Sequence, residues 1–169
     1  MEDEGARTSD ENAFNRSLAP LAVHIAALGA PRPEYKPYSW MRFEDQARVL
    51  LDEKVPVFSF IYGIPPQEIL EECRAKRIVM IGTATTPEEG AALQEAGVDA
   101  IVASGFEAGG HRGSFLRRAE DSLTGTLSLV PQIADKVKVP VIAAGGIADA
   151  RGVIAALALG AEGDRKSVV

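Results

Sequence analysis

The sequence predicts an α/β domain built on a parallel β-sheet that is covered by helices. Five apolar runs of strand length recur along the chain, and polar amphipathic segments lie between them. The runs are rich in Val, Ile and Ala and do not alternate with polar residues, which is typical of strands buried on both faces of a parallel sheet. The repeated order of strand and then helix indicates right-handed β/α units.

Five segments are the predicted strands. They are LAVHIAAL from Leu21, VPVFSF from Val55, IVMIG from Ile78, AIVAS from Ala100 and VPVIAAGG from Val139. Three of these runs end in small or polar pairs, which are Gly82 with Thr83, Ser104 with Gly105, and Gly145 with Gly146. Because the loops at the carboxyl ends of parallel strands converge, we expect the functional site at these ends.

The segments between the strands predict four helices, over residues 43–54, 66–76, 86–97 and 149–160. The third is the clearest, because Thr86 is a preferred N-cap, Pro87 suits the first helical position and Gly97 suits the C-terminal end. The fourth repeats this arrangement, with Asp149 as the cap and Gly160 at its end. These helices are expected to connect successive strands of the sheet.

Composition and charge exclude several classes of protein. The chain has 169 residues, 46% of them hydrophobic, and its net charge of -6 favours neither nucleic acid nor an anionic membrane as a partner. Cys73 is the single cysteine, so neither an internal disulfide nor a cysteine-based zinc site is expected. No apolar run reaches the roughly 20 residues of a membrane span and the N-terminus is acidic, so a cytoplasmic protein is expected.

One domain is expected, over residues 18–163. Residues 1–17 are acidic and predict a disordered lead-in, while the last six residues, DRKSVV at 164–169, are unsuited to a buried strand. One reading frame of a common sequencing adapter encodes these six residues and a stop. We therefore hypothesise that the tail is adapter read-through and that the natural protein continues.

A long connection at residues 30–43 carries three prolines and little periodicity. It predicts either a surface coil or a segment that covers a ligand with Tyr35, Tyr38 and Trp40, and the sequence favours neither.

The glycine pair Gly145-Gly146 predicts a phosphate-binding turn. Glycine allows the backbone to approach a ligand closely, and a helix capped by Asp149 follows with unpaired amides that suit a phosphate. The alternative is a tight turn that requires positive φ.

A second glycine cluster, GFEAGGHRGSF at residues 105–115, places a histidine after the fourth predicted strand. Gly109 and Gly110 leave room for a flat ring against the backbone, and His111 is suited to proton transfer near neutral pH. The alternative is a histidine that caps a helix or binds a carbonyl. Glu107 either orients a ring nitrogen or braces the loop, and Arg112 either meets an anion or pairs with Glu107 at the surface.

The two motifs SGFEAGGHRGSF and VPVIAAGGIADARGVIAALALGAEG together resemble the nitronate monooxygenase family of FMN-dependent (β/α)8 barrels. The resemblance runs from about Leu18 to Gly163. It implies that His111 is catalytic, that Gly109 and Gly110 border the flavin, and that the pair at 145–146 holds the FMN phosphate. It also implies an incomplete barrel with five of eight strands, in which the first two and the last are missing.

Two residues depart from the pattern of the family. Ser104 stands where glutamine is usual, which shortens or removes a side-chain hydrogen bond to the flavin. His24 stands where asparagine is usual in a strand, and it is either a flavin contact or a core histidine.

The resemblance implies that FMN and dioxygen oxidise an alkyl nitronate to a carbonyl compound and nitrite. The alternative enzyme is the related FMN- and NADPH-dependent enoyl thioester reductase, whose usual ESGGH differs from EAGGH at Ala108. A third alternative is an inactive barrel fragment whose open sheet edges promote self-association.

Overall fold

The computed structural model describes residues 10–37 and 41–165, and the chain divides into two compact units, Met1–Gln46 and Ala47–Val169. The first unit holds helix α1 (Glu11–Leu18), a 3₁₀ turn (Ala19–Leu21) and helix α2 (Ala22–Ala27). Asp10 caps α1 by accepting a hydrogen bond from the Ala13 amide at 2.5 Å. Part of the segment predicted as a disordered lead-in is therefore helical.

The strand predicted from Leu21 is wrong, because this segment is helical. Three of the six residues of α2 are alanine, which has the highest helix propensity, and a short apolar run does not by itself distinguish strand from helix. In the same unit the ring of Tyr35 packs against Phe14, with centroids 5.6 Å apart. The covering role predicted for Tyr38 and Trp40 falls on residues outside the described ranges.

The second unit is a five-stranded parallel sheet with helices between the strands. The strands are β1 (Val57–Phe60), β2 (Val79–Ala84), β3 (Ala100–Ser104), β4 (Val141–Ala144) and β5 (Gly163–Asp164). The helices are α3 (Phe43–Asp52), which begins before the unit boundary, α4 (Gln67–Lys76), α5 (Pro87–Glu95), α6 (Thr126–Ala134) and α7 (Ala150–Ala158). The α/β prediction is confirmed, whereas α6 was not predicted.

The strands pair in chain order, β1-β2-β3-β4-β5, and every pairing is parallel. A doubly wound sheet reverses its strand order at a switch point, whereas a (β/α)8 barrel keeps the sequential order. The sheet thus has the topology of part of a barrel. Within the described ranges β1 and β5 are edge strands, and self-association through them stays a prediction.

Local sequence signals account for the helix ends. Thr86 caps α5 by accepting a hydrogen bond from the Glu89 amide at 3.2 Å, as the sequence predicts. Gly97 follows α5 with a φ of +80°, a left-handed conformation that favours glycine. The fourth predicted helix is also present, with Asp149 as its cap and Gly160 after its end at a φ of +99°.

The core lies between the sheet and its helices. Leu70, Met80, Leu93, Ile101 and Ile133 are each at most 1% exposed, and burying one such side chain contributes about 1.5–3 kcal/mol. Gly82 of β2 permits this packing, because a Cβ there would lie 2.4 Å from a methyl carbon of Leu93. The sheet is thereby supported beneath its carboxyl edge.

The last strand uses a residue that the sequence assigned to a foreign tail. Asp164 pairs with Ala143 of β4, and the next amide, that of Arg165, donates to the Ala143 carbonyl at 2.8 Å. Asp164 is only partly buried, so the expectation that residues 164–169 are unsuited to a buried strand stays a prediction. Residues 166–169 lie outside the part of the chain that the structure describes.

Candidate functional site

A cavity of about 310 Å³ lies at the carboxyl ends of the first four strands. Four of the predicted site residues line it, which are Ser104, Gly109, His111 and Gly145. The other lining residues are Ser59, Phe60, Ile61, Tyr62, Thr83, Val102, Ala108, Ala144 and Arg165. The expectation that the site lies where the strand ends converge agrees with this arrangement.

The three other predicted site residues do not line the cavity. Gly110 and Gly146 directly follow lining glycines, and both have positive φ, +88° and +68°. His24 lies in α2 of the first unit and is exposed, so its expected place in a strand of the sheet is wrong. A contact between His24 and a cofactor stays a prediction.

The turn after β4 requires glycine on two grounds. Gly145 has a φ of +112°, and a Cβ there would lie 2.7 Å from the backbone nitrogen of Ala108. The turn therefore packs directly against the loop that carries His111. The tight-turn interpretation is correct for this pair, and it does not exclude a bound phosphate.

The donor set at this turn fits a phosphate. Among the described residues the amides of Gly145 and Gly146 donate no hydrogen bond. Unpaired amides of successive residues form a concave donor group that favours an anion. The amides of Arg151 and Gly152 do not contribute, because the Asp149 carboxylate accepts from them at 2.9 and 3.2 Å. The expectation of unpaired amides at these two positions of α7 is therefore wrong.

The backbone at Gly109 fits a flat ring. This glycine lines the cavity, and a Cβ on it would meet no atom within 4 Å, so the backbone borders open space. A flavin ring needs such an approach to the backbone, because a side chain would hold the ring away. Gly109 therefore offers open backbone that suits a flat ring, and within the described ranges Gly145 and Gly146 offer free amides that suit an anion.

Glu107 braces the loop. Its carboxylate accepts hydrogen bonds from the Thr126 amide at 2.9 Å and from the Thr126 hydroxyl at 2.9 Å, at the beginning of α6. Partial burial raises the pKa of this carboxyl, but these hydrogen bonds, the amide of Glu107 itself and Arg112 outweigh it and hold the pKa below the ordinary value of a glutamate. Of the two roles predicted for Glu107, bracing is the one that the geometry supports.

Arg112 binds backbone carbonyls and is not part of a surface ion pair. Its guanidinium donates to the carbonyls of Ser104 at 2.6 Å, Ser122 at 3.0 Å and Thr85 at 3.3 Å. Burial lowers the pKa of Arg112, and the carboxylates of Glu89 and Glu107 oppose this shift without reversing it. The surface-pair interpretation of Arg112 is therefore wrong.

Glu89 is a buried residue that was not among the predicted site residues. It is 0% exposed, and its carboxylate accepts from the Thr85 amide and hydroxyl at 2.7 and 2.6 Å. The other oxygen accepts from the amides of Phe115 and Leu116 at 2.6 and 3.0 Å. The spacing of Thr86 and Glu89 is that of a capping box, which is the signal that would have drawn attention to it.

The loop after β1 also contributes to the wall. Tyr62 lines the cavity with a φ of +72°, which is unusual for a large side chain and costs about 1–3 kcal/mol. The preceding Ile61 packs over Gly113, where a Cβ would lie 2.3 Å from a carbon of Ile61. The β1 loop is thereby held against the segment that carries His111.

Over residues 10–37 and 41–165, no group of three or more His, Cys, Asp or Glu side chains is placed to bind a metal ion. No helix in these ranges combines the length and the apolar character that crossing a bilayer requires.

A family model described as nitronate monooxygenase matches residues 5–165. Proteins named probable nitronate monooxygenase, from Staphylococcus aureus strains Newman and JH9, are each 49% identical to this chain over 144 residues. The match covers 85% of this chain and 41% of each relative, so the chain spans about two fifths of their length.

Two solved structures are similar in both sequence and fold. A nitroalkane oxidase from Streptomyces ansochromogenes has a TM-score of 0.77 at 36% identity, covering 92% of this chain and 45% of that protein. FabK from Thermotoga maritima has a TM-score of 0.62 at 38% identity, covering 72% of this chain and 36% of that protein.

Proposed function

The chain belongs to the nitronate monooxygenase family, and from this premise we propose that it binds FMN and oxidises alkyl nitronates with dioxygen to a carbonyl compound and nitrite. The observation that supports the proposal best is one cavity lined by His111, Gly109 and Gly145 at the carboxyl ends of the strands. The likeness to a nitroalkane oxidase extends the proposed substrates to neutral nitroalkanes.

FMN would be held by backbone groups. The amides of Gly145 and Gly146 would bind its phosphate, and Gly109 would lie against the ring, because none of these three positions presents a side chain. When bound, FMN supplies the redox chemistry by taking electrons from the nitronate and passing them to dioxygen. Ser104 lies at the end of β3 on the same wall and offers a hydroxyl to the ring or to the substrate.

His111 would handle the proton. With a neutral nitroalkane, the imidazole accepts the proton from the carbon that carries the nitro group, and the electron pair of that C–H bond becomes the C=N bond of the nitronate. With a nitronate this step has already taken place, and a protonated His111 stabilises the anion. The exposed position of His111 on the cavity wall leaves its ring accessible to substrate.

His111→Ala tests the proposal. We expect nitrite release from a nitroalkane to fall about 10²- to 10⁴-fold, the usual contribution of a general base. The fluorescence of FMN should still be quenched when FMN is mixed with the variant, because His111 does not hold the flavin. Unchanged nitrite release would remove His111 from the chemistry. Absence of both FMN binding and nitrite release in the wild-type protein would refute the proposed function.

Anaerobic mixing distinguishes the reductase alternative. A nitronate should bleach the flavin absorbance of the loaded protein, whereas NADPH should do so only slowly. Rapid bleaching by NADPH without any by nitronate would favour the enoyl thioester reductase.

A further inference from the structure

We propose that Arg112 is a positioning residue for His111, the neighbouring residue in the chain. Its consequence for catalysis rests on the proposed function. Arg112 does not line the cavity, and its guanidinium binds three backbone carbonyls, so we assign it a role through the backbone of its loop.

The guanidinium of Arg112 joins three segments that are distant in sequence. It donates to Ser104 at the end of β3, to Thr85 at the junction of β2 and α5, and to Ser122 in the segment before α6. A planar group with donors in fixed directions can bind several carbonyls at once, which a lysine ammonium on a flexible stem does less well. The backbone at position 112 is therefore fixed relative to the sheet.

Glu89 fixes the same loop on the other side of Arg112. Its fully buried carboxylate accepts from the amides of Phe115 and Leu116, and it attracts the guanidinium of Arg112. The other carboxylate oxygen is held by Thr85, whose carbonyl accepts from Arg112. Glu89 and Arg112 thus form one connected network, which we call the Glu89–Arg112 network.

His111 depends on this network because its own segment is permissive. Gly109 and Gly110 precede it, and Gly110 has a φ of +88°, so the backbone before His111 has wide conformational freedom. In the described ranges His111 itself makes no hydrogen bond. The nearest hydrogen-bonded residues are Ala108 on one side, whose amide donates to the Gly105 carbonyl at 3.1 Å, and Arg112 on the other.

The network should matter most for the step that needs an oriented base. Removing a proton from a nitroalkane requires the imidazole nitrogen within hydrogen-bond reach of one C–H bond, and a displacement of about 1 Å can lower the rate about 100-fold. A preformed nitronate has no such proton to lose. Loosening Arg112 should therefore reduce nitroalkane turnover more than nitronate turnover, a split that a general loss of stability would not produce.

Arg112→Lys tests this role, with Arg117→Lys as the matched control. Arg117 lies in the same loop but is exposed and pairs with Glu88 at 3.2 Å. In the FMN-loaded protein we expect Arg112→Lys to lower kcat/KM for a nitroalkane about 10- to 100-fold and that for its nitronate less than about threefold. The control should change neither value. An equal fall for both substrates would overturn the positioning role.

A second readout needs neither cofactor nor activity. The chain contains only two histidines, His24 and His111, so ¹⁵N-histidine labelling gives two backbone amide signals, which His111→Ala assigns. We expect the heteronuclear NOE of His111 to be that of ordered backbone in the wild type and in Arg117→Lys, and to fall in Arg112→Lys. A low value already in the wild type, or an unchanged value in Arg112→Lys, would overturn the inference.

These outcomes separate the inference from the proposed function. If the wild type oxidises neither substrate, the proposed function fails, while the NMR result still decides whether Arg112 orders the loop. If Arg112→Lys does not fold, Arg112→Ala is assayed instead, with and without free guanidinium in solution. Added guanidinium should restore the ratio of nitroalkane to nitronate turnover. A folded Arg112→Ala without recovery, or failure of both variants to fold, would overturn the positioning role.

Discussion

Replacing Glu89 with glutamine should destabilise the protein strongly although the two side chains have almost the same shape. The carboxylate of Glu89 is fully buried and accepts four hydrogen bonds, from the amide and hydroxyl of Thr85 and the amides of Phe115 and Leu116. A glutamine amide has only one acceptor oxygen, so its NH₂ group must face one of the two donor pairs.

The magnitude follows from the more favourable of the two orientations. If the amide oxygen faces Phe115 and Leu116, the NH₂ group faces Thr85, whose hydroxyl can rotate to accept but whose amide loses its partner. One unsatisfied buried donor costs about 1–3 kcal/mol, and changing the remaining bonds from a charged to a neutral acceptor costs about 1 kcal/mol more. The lower cost of burying a neutral group offsets part of this, so we expect a loss of about 2–3 kcal/mol.

Urea unfolding followed by circular dichroism measures this loss. Glu88→Gln is the matched control, because Glu88 is the adjacent residue of α5 and its side chain is 47% exposed in ion pairs with Arg117 and Lys136. Surface pairs contribute about 0–1 kcal/mol, so the control should lose less than about 1 kcal/mol. Equal losses for the two variants would refute the reasoning about Glu89.

Three further predictions follow from other contacts. Gly145→Ala should lower the unfolding free energy by about 1–3 kcal/mol, because Gly145 has a positive φ and contacts the loop that carries His111. Gly109→Ala should leave the unfolding free energy unchanged but weaken FMN binding, which a fluorescence titration measures. Folding lowers the pKa of Glu107, so the stability that its carboxylate contributes should be present above about pH 4.5 and lost as the pH falls further. The difference in unfolding free energy between the wild type and Glu107→Gln should therefore shrink at acidic pH, which urea titrations at several pH values measure. Burial raises the pKa of the Cys73 thiol and shields it from reagents, so its reaction with a thiol reagent should proceed at the rate of unfolding. Fast labelling of the native protein would contradict the buried position.

Helices α3, α4, α5 and α7 and strands β1 to β4 could be predicted because their signals are local. Thr86 and Asp149 act as caps through contacts within three residues of their own position, and such contacts can be recognised from sequence alone. The segment from Leu21 was predicted wrongly because its apolar run fits a strand and a short helix equally well. An apolar run of that length specifies neither secondary structure nor burial here, since no residue of α2 is buried.

One part of the candidate site could also be predicted from the sequence, and another part could not. Ser104, His111 and Gly145 could be placed at one edge because parallel strands align their carboxyl ends. The partners of Glu89 and Arg112 could not be predicted, because they depend on the path of a long loop whose contacts join residues more than twenty positions apart. Periodicity carries no information about such contacts, since it reports only which face of an element is buried.

The loop that carries His111 has a consequence for how quickly the chain can fold. Val57 of β1 pairs with Val79 of β2, whereas Ile101 of β3 pairs with Val141 of β4, at about twice the separation in sequence. Each doubling of a closed loop costs about 0.6 kcal/mol of chain entropy, so joining β3 to β4 is the least favourable closure in this sheet. The segment that builds the cavity wall therefore also raises the entropic barrier to assembling the sheet beneath it.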